Sequence, residues 1–211
     1  MSLIIENDES IDFIKTLSDK WVEENIFNGK ITYTKPGSIT YLLYGAKPSE
    51  QSVNIKFGHF GEFIAKELIK TKKQFELLTC GVQKVNDKKK DVDLIWLDKQ
   101  NKVIYYRELK GNIELDTEKL PATIHKCKEI EQSLTSKYPD CSINYGVFNW
   151  SIYNRKILTA GLTHIKTFES NGVKIDHMED FLKILDISWN EPDWALYFRN
   201  IGTKIMTYFD E

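Results

Sequence analysis

The chain has 211 residues, of which 41% are hydrophobic and 28% charged, with a formal net charge of −2. These totals fit a globular protein with a sizeable core and exclude collagenous, low-complexity and solenoid classes. A near-neutral total also excludes binding to nucleic acid by overall charge, so any such contact has to come from local patches.

No apolar run reaches the ~18 residues of a membrane span, and the N-terminus carries no signal-peptide pattern. Together these point to a cytoplasmic protein. The cysteines, Cys80, Cys127 and Cys141, are odd in number, widely spaced and set at apolar positions. They read as reduced core thiols, not as a disulfide framework or a zinc site.

In chain order, residues 9 to 24 place Ile11, Ile14, Leu17 and Trp21 at helical spacing, which predicts an amphipathic helix. From 25 to 56 the chain changes character. The stretch NGKITYTKPGSITYLLYGAKPSEQSVNIK mixes Gly, Pro, Ser and Lys with short aromatic runs, which predicts hairpins or long loops. FGHFGEFIAKELIK, 57 to 70, is a helix with Phe60, Ile64, Ala65, Leu68 and Ile69 on one side. FELLTCGVQKV follows as a first strand, VNDKKKD as a solvated polar turn, DVDLIWL as a second strand, DKQNK as a turn and VIYYRELK as a third strand.

Helical period returns in DTEKLPATIHKCKEIEQSLTSKYP, with Leu120, Ile124, Cys127, Ile130 and Leu134 in register and Pro121 tolerable only in the first turn. Asn112, Glu114 and Asp116 lead into that helix, where Asp116 suits a cap and Lys119 a phosphate contact. INYGVFNW is a strand, THIKTF and GVKI are candidate short strands, and MEDFLKIL and PDWALYFRNIGTKIMTYF close the chain as helices. Trp194, Tyr197, Phe198, Ile201, Ile205 and Tyr208 form one stripe on the last helix, suited to core packing or to a dimer interface over 176 to 211. The order helix, three strands, helix, strand predicts an α/β fold. Its mixed central β-sheet combines an antiparallel three-strand meander with a parallel strand, flanked by helices.

Two positions apart on the third strand, Glu108 and Lys110 share one face. Symmetric pairing about Gln100 and Asn101 sets Asp93 opposite Glu108 and Asp91 opposite Lys110, with opposed Cβ atoms about 4.5–5.5 Å apart. A slip of one residue would send Asp93 to the other face. Crowded carboxylates need a cation or a shared proton. Two of them plus solvent suit Mg²⁺ beside a phosphate, and a lysine alongside can orient water and offset transition-state charge. The bland alternative is a surface hairpin with ordinary charges. Against it, VIYY is too apolar for an exposed edge, and Glu62 lies on the apolar side of its helix, where a carboxylate is costly without a partner such as Lys110 or a metal-bound water.

DVDLI, a hairpin turn and YYRELKG, preceded by FGEFIAKEL, resemble the PD-(D/E)xK nuclease superfamily over roughly residues 57 to 150. The resemblance implies that Asp93 and Glu108, with the Leu109 carbonyl, hold Mg²⁺ (Mn²⁺ able to substitute). It also implies Lys110 as the catalytic lysine and Glu62 as an accessory acid. Val92 stands where the superfamily's motif has proline, which leaves Asp91 as a rival for the metal role.

Within that superfamily the chain looks most like a type II restriction endonuclease, a single nuclease domain over 1 to 211. It would act on double-stranded DNA as a homodimer, with a companion DNA methyltransferase expected genetically. Lys30, Tyr33, Lys35, Ser38, Tyr41 and Lys47 in the 25 to 56 segment, with Asn112 and Lys119, would then meet DNA, against the alternative of a structural flap. A structure-selective repair or recombination nuclease and a non-catalytic DNA-binding domain are the other readings. His59, His125, His164 and His177 show no ligand spacing and read as structural.

Overall fold

A computed structural model describes residues 7–111, 119–150, 162–188 and 190–210. They fall into two compact units, one formed by residues up to Phe60 together with Asn190 onward, the other by Gly61–Trp189.

The second unit is built on a five-stranded sheet in the order β1-β4-β5-β6-β7. The strands are β1 (Phe75–Leu77), β4 (Leu94–Asp98), β5 (Val103–Lys110), β6 (Ser142–Asn149) and β7 (Lys174–Asp176). β1, β4 and β5 pair antiparallel, while β5, β6 and β7 run parallel through the crossover helices α4 (Leu120–Lys137) and α5 (Leu162–Ser170). The expected mixed sheet, an antiparallel meander extended by parallel strands and flanked by helices, is what forms. Pro121 falls in the first turn of α4, where its missing N–H has no helical partner to lose.

The β4–β5 register runs from Leu94↔Arg107 to Asp98↔Val103, as symmetric pairing about Gln100 and Asn101 requires. The turn fixes it locally. The buried Asp98 carboxylate accepts hydrogen bonds from the Gln100 and Asn101 backbone N–H groups at 3.0 Å each and from Asn101 Nδ2 at 2.8 Å. On one face of the sheet Ile95, Ile104, Tyr106 and Val147 pack with Ile124, Cys127, Ile130 and Leu134 of α4 and Ile165 and Phe168 of α5. On the other, Trp96 stacks on Tyr105 at 4.9 Å, and Phe148 stacks at 4.6 Å on Phe181 of α6 (Met178–Ile184).

Residues 75 to 92 differ from expectation. The single first strand is two, β1 and β2 (Gly81–Val85), and Lys88–Lys90 are not turn residues but part of β3 (Lys88–Val92). β2 and β3 form a separate two-stranded ribbon, closed by Asn86 and Asp87, both at positive φ (47° and 63°). Asn and Asp tolerate this left-handed conformation, which lets a two-residue turn close the hairpin and draws the lysines into the ladder. Lys90 is anchored by Glu129 of α4 at 2.6 Å, while Lys88 and Lys89 are exposed. THIKTF also differs: it lies in α5, where Ile165 and Phe168, three apart, both face the core. Its β-branched composition yields to that spacing.

The first unit is helical. α1 (Asn7–Val22) continues into a turn of π-helix (Glu23–Phe27), followed by the six-residue α2 (Ile39–Tyr44), the first half of α3 (Glu50–Lys70) and α7 (Glu191–Asp210). Of the hairpins or long loops expected over 28 to 56, the hairpins reduce to one bridge, Tyr33↔Pro48, and loops remain between the helices. Ser38 Oγ caps α2 by accepting from Tyr41 N at 3.1 Å, and Ser49 Oγ accepts from Ser52 N where α3 starts, seven residues before the expected 57. Local caps outweigh aromatic β-propensity here. Trp194, Tyr197, Ile201 and Ile205 of the α7 stripe are buried, and Tyr197 Oη donates to the Ile14 carbonyl of α1 at 3.4 Å. Among the described residues no helix is long and apolar enough to cross a membrane.

Candidate active site

Asp93 stands alone between β3 and β4. The hairpin keeps one register on both sides of it, from Phe75↔Asp98 through Leu78 N to Ile95 O, and again from Gly81↔Val92 to Val85↔Lys88. Only at Thr79, Cys80 and Asp93 is the ladder broken. Gly81, at φ +88°, restarts it in a conformation other residues rarely adopt. The break frees the Asp93 side chain to reach across to β5, where its Oδ2 accepts from Leu109 N at 2.8 Å.

β5 supplies the rest by alternation. Tyr106, Glu108 and Lys110 share the face covered by α4, while Arg107 points to the opposite face. Glu108 is 7% exposed, and its Oε2 accepts from Tyr106 Oη at 3.1 Å and from Lys126 Nζ of α4 at 2.5 Å. Lys110 Nζ lies 3.7 Å from Glu108 Oε1, and Lys126 Nζ lies 3.9 Å from Asp93 Oδ1. The structure thus brings Asp93, Glu108 and Lys110 together and adds two groups that the sequence reading missed, Lys126 and Tyr106.

The electrostatics follow from crowding. Burial, then the charge of Glu108, raises the Asp93 carboxyl from 3.8 to about 7, against the pull of Lys126 and the Leu109 N–H. Burial works against the Lys126 ammonium, but Glu108 and Asp93 outweigh it and raise its pKa. Tyr106 is pushed well above its ordinary value by burial and by Glu108, so it stays protonated and donates. Burial and Glu108 likewise raise Cys127 to about 12, which fits an inert core thiol.

Glu62, on α3, has a partner that the sequence reading did not name. It pairs with Lys66 one turn on at 2.9 Å, and its charge adds to the repulsion felt by Asp93. Gly61 before it has a packing reason: a Cβ there would lie 2.5 Å from the Trp150 indole nitrogen. Asp91 is exposed and pairs with Val82 in the ribbon, not with Lys110, because the β4–β5 ladder ends at Leu94. Of the two aspartates, Asp93 is the one that contacts β5.

Lys30, Tyr33, Lys35, Ser38 and Tyr41 are exposed and Lys47 half-buried, all in the first unit. Lys119 is exposed at the N-terminus of α4, and Asn112, Glu114 and Asp116 lie outside the described residues. His177 is buried beside Asn149 at 3.3 Å, and His125 is 3.4 Å from Glu129. His59 is exposed, and the side chain of His164 lies outside the described residues.

The donors suit a hard divalent cation. Asp93 Oδ1 and Glu108 Oε1 meet the Lys126 and Lys110 ammonium groups at 3.9 and 3.7 Å, beyond hydrogen-bond distance, which suits them to take an ion. A strand residue turns its N–H and C=O to the same edge, so Leu109, whose N–H meets Asp93, offers its carbonyl on that side too. Among the described residues no three His, Cys, Asp or Glu side chains form a cage. Two carboxylates, a carbonyl and solvent are the donor set typical of Mg²⁺ rather than of zinc.

Lys126 carried a faint sequence signal. It lies three residues after Thr123 and four before Ile130, both buried, so it borders the core face of α4. Nothing in the sequence says which strand that border meets.

No protein-family model and no curated protein matches the chain. Among solved structures it is similar to Can2 from Sulfobacillus thermosulfidooxidans in complex with cyclic tetra-adenylate (cA4), at 16% identity and a TM-score of 0.35. The alignment covers 83% of this chain and 53% of that one, so the chain spans about half the length of Can2.

Proposed function

We propose that the protein is a Mg²⁺-dependent endodeoxyribonuclease that hydrolyses phosphodiester bonds at a specific double-stranded sequence, in the manner of a type II restriction endonuclease. The observation that carries this reading is that Asp93 and Glu108 gather about one ammonium, that of Lys126, with Lys110 on the face of Glu108. Asp93, Glu108 and the Leu109 carbonyl would hold the ion, which supplies Lewis-acid polarisation of the phosphate and a more acidic water.

The chain's own groups do the rest. Tyr106 Oη and the Leu109 N–H fix one oxygen each of Glu108 and Asp93, which preorganises the pair. Lys110, half-buried beside Glu108, orients the attacking water and offsets the charge that builds on the phosphate. Glu62 acts from the rim as an accessory acid, balanced by Lys66. The exposed Lys84, Lys88 and Lys89 of the ribbon, whose β3 runs directly into Asp93, suit phosphate contacts. Lys30, Lys35, Tyr33, Ser38, Tyr41 and Lys47 offer the mixed charged, hydroxyl and aromatic set that positioning and base readout require. A palindromic site calls for a homodimer, and protection of the host's own sites calls for a companion methyltransferase.

The test is digestion of unmethylated phage DNA. Discrete bands that require Mg²⁺ or Mn²⁺ and that vanish after methylation of the site support the restriction reading. A smear, or cutting confined to branched DNA, replaces it with a repair or recombination nuclease. Binding without cutting under any metal replaces it with a DNA-binding domain.

A further inference from the structure

Lys126 lies outside the strand-borne motif, yet it makes a shorter ion pair with Glu108 than Lys110 does. Its Nζ is 2.5 Å from Glu108 Oε2 and 3.9 Å from Asp93 Oδ1, and its side chain is 19% exposed. Lys110, by contrast, reaches Glu108 through the other oxygen at 3.7 Å. We propose that Lys126 is the resident counter-cation of the centre, bracing the two carboxylates in the metal-free protein and giving way when a divalent ion binds. The inference rests on the reading of Asp93 and Glu108 as metal ligands.

The charges favour the exchange. The Asp93 and Glu108 carboxylates are matched in sign and number by Lys110 and Lys126, so a divalent ion entering the same space brings an excess of two positive charges, which the departure of one ammonium halves. Lys126 is the one suited to leave. Its backbone is pinned because Ile124, Cys127 and Ile130 of α4 are buried in the core, whereas its four-carbon stem is flexible. Its surroundings also allow it to return. Asp91 adds attraction from the ribbon, and Glu129, one turn further along α4, is already occupied by Lys90 at 2.6 Å and faced by His125. Lys126 is a positioning residue in this account, not a ligand.

The experiment measures Mn²⁺ binding to the protein without DNA, following free Mn²⁺ by electron paramagnetic resonance. Wild type, Lys126→Met and Lys126→Arg are compared. Lys126→Met keeps the stem and removes the charge, so Mn²⁺ should bind about tenfold tighter, and Lys126→Arg should stay near wild type. Equal affinity in Lys126→Met overturns the proposal and leaves the metal site standing. Weaker affinity overturns it too, by making Lys126 a support that the bound ion still needs. No Mn²⁺ binding by any form, Lys126→Met included, removes both this proposal and the metal-dependent reading.

A second measurement uses wild type alone, so it holds even if Lys126→Met fails to fold. Competitive acetylation mapped by mass spectrometry should show Lys126 becoming several-fold more reactive when Mg²⁺ is added. An unchanged Lys126 reactivity at Mg²⁺ concentrations that saturate the site overturns the exchange.

Discussion

At the scale of single residues, Asp93 determines how the centre responds to pH. Its carboxyl titrates near 7 in the folded chain and at 3.8 as an ordinary aspartate. Between those values the folded state keeps a proton that the unfolded state has lost. The contribution of Asp93 is therefore fully present below pH 3.8, is lost as pH rises through 7, and changes little above that. In EDTA, thermal melts of wild type should show this fall between about pH 4 and 7, and Asp93→Asn should remove it. A fall of equal size in both proteins would contradict the assignment. Because a bound ion requires the carboxylate, Mg²⁺ affinity should also rise about tenfold per pH unit up to about 7 and then level off, as calorimetric titration would show.

How far this residue pattern was legible depended on strand geometry. The two-residue spacing of Glu108 and Lys110 and the symmetry of the DKQNK turn were enough to bring Asp93 to Glu108, because alternation and register leave few choices. Lys126 was not legible. Helical phase fixes which face of α4 is buried but not where the helix crosses the sheet.

At the scale of elements, one long hairpin is divided between two sheets, and the break leaves the aspartate outside the ladder, free to turn towards β5. Read as sequence, residues 75 to 85 form a single strand. The interruption at Thr79 and Cys80 leaves no mark except Gly81, whose need for positive φ shows only in the structure. The ribbon turn is closed by Asn86 and Asp87 at positive φ without a glycine. Asp87→Gly should therefore raise the melting temperature, by about 0.5–1 kcal/mol of stability. The exposed Lys84–Asp87 pair that it removes, at 2.7 Å, is worth little. Cleavage should be unchanged, since the turn lies at the far end of the ribbon from Asp93. A destabilised Asp87→Gly protein would show that the turn depends on the aspartate side chain rather than on its backbone.

At the scale of the molecule, the sheet of the second unit is tied across its parallel half by a buried ion pair. Arg107 of β5 reaches over β6 to Asp176 of β7 at 2.6 Å, with both side chains fully buried, and also donates to Asn144 O and Oδ1 at 2.8 Å each. Gly146 of β6 makes the close approach of β7 workable, since a Cβ there would lie 2.2 Å from the Lys174 carbonyl oxygen. Asp176→Ala strands the guanidinium and should cost about 3–5 kcal/mol by denaturant titration. A cost under about 1 kcal/mol would mean that water reaches Arg107 and that the pair is not a tie. Arg107 sits in the same strand as Glu108 but faces the other way. One strand thus carries its structural charge on one face and the proposed chemistry on the other.

The two-unit organisation was the least legible feature. Residues 28 to 56 read as hairpins or long loops because Gly, Pro, Ser and Lys are mixed there with short aromatic runs, yet helix forms after Ser38 and after Ser49. The central claim is that Asp93, Glu108 and Lys110 form one metal-dependent hydrolytic centre. Its most direct test is cleavage of supercoiled DNA by wild type, Asp93→Asn and Lys110→Ala, side by side in Mg²⁺ and in EDTA. The account predicts cutting by wild type in Mg²⁺ alone, lowered about a hundredfold or more in each variant. Cutting that survives EDTA or either substitution, or no cutting by wild type at all, would contradict it.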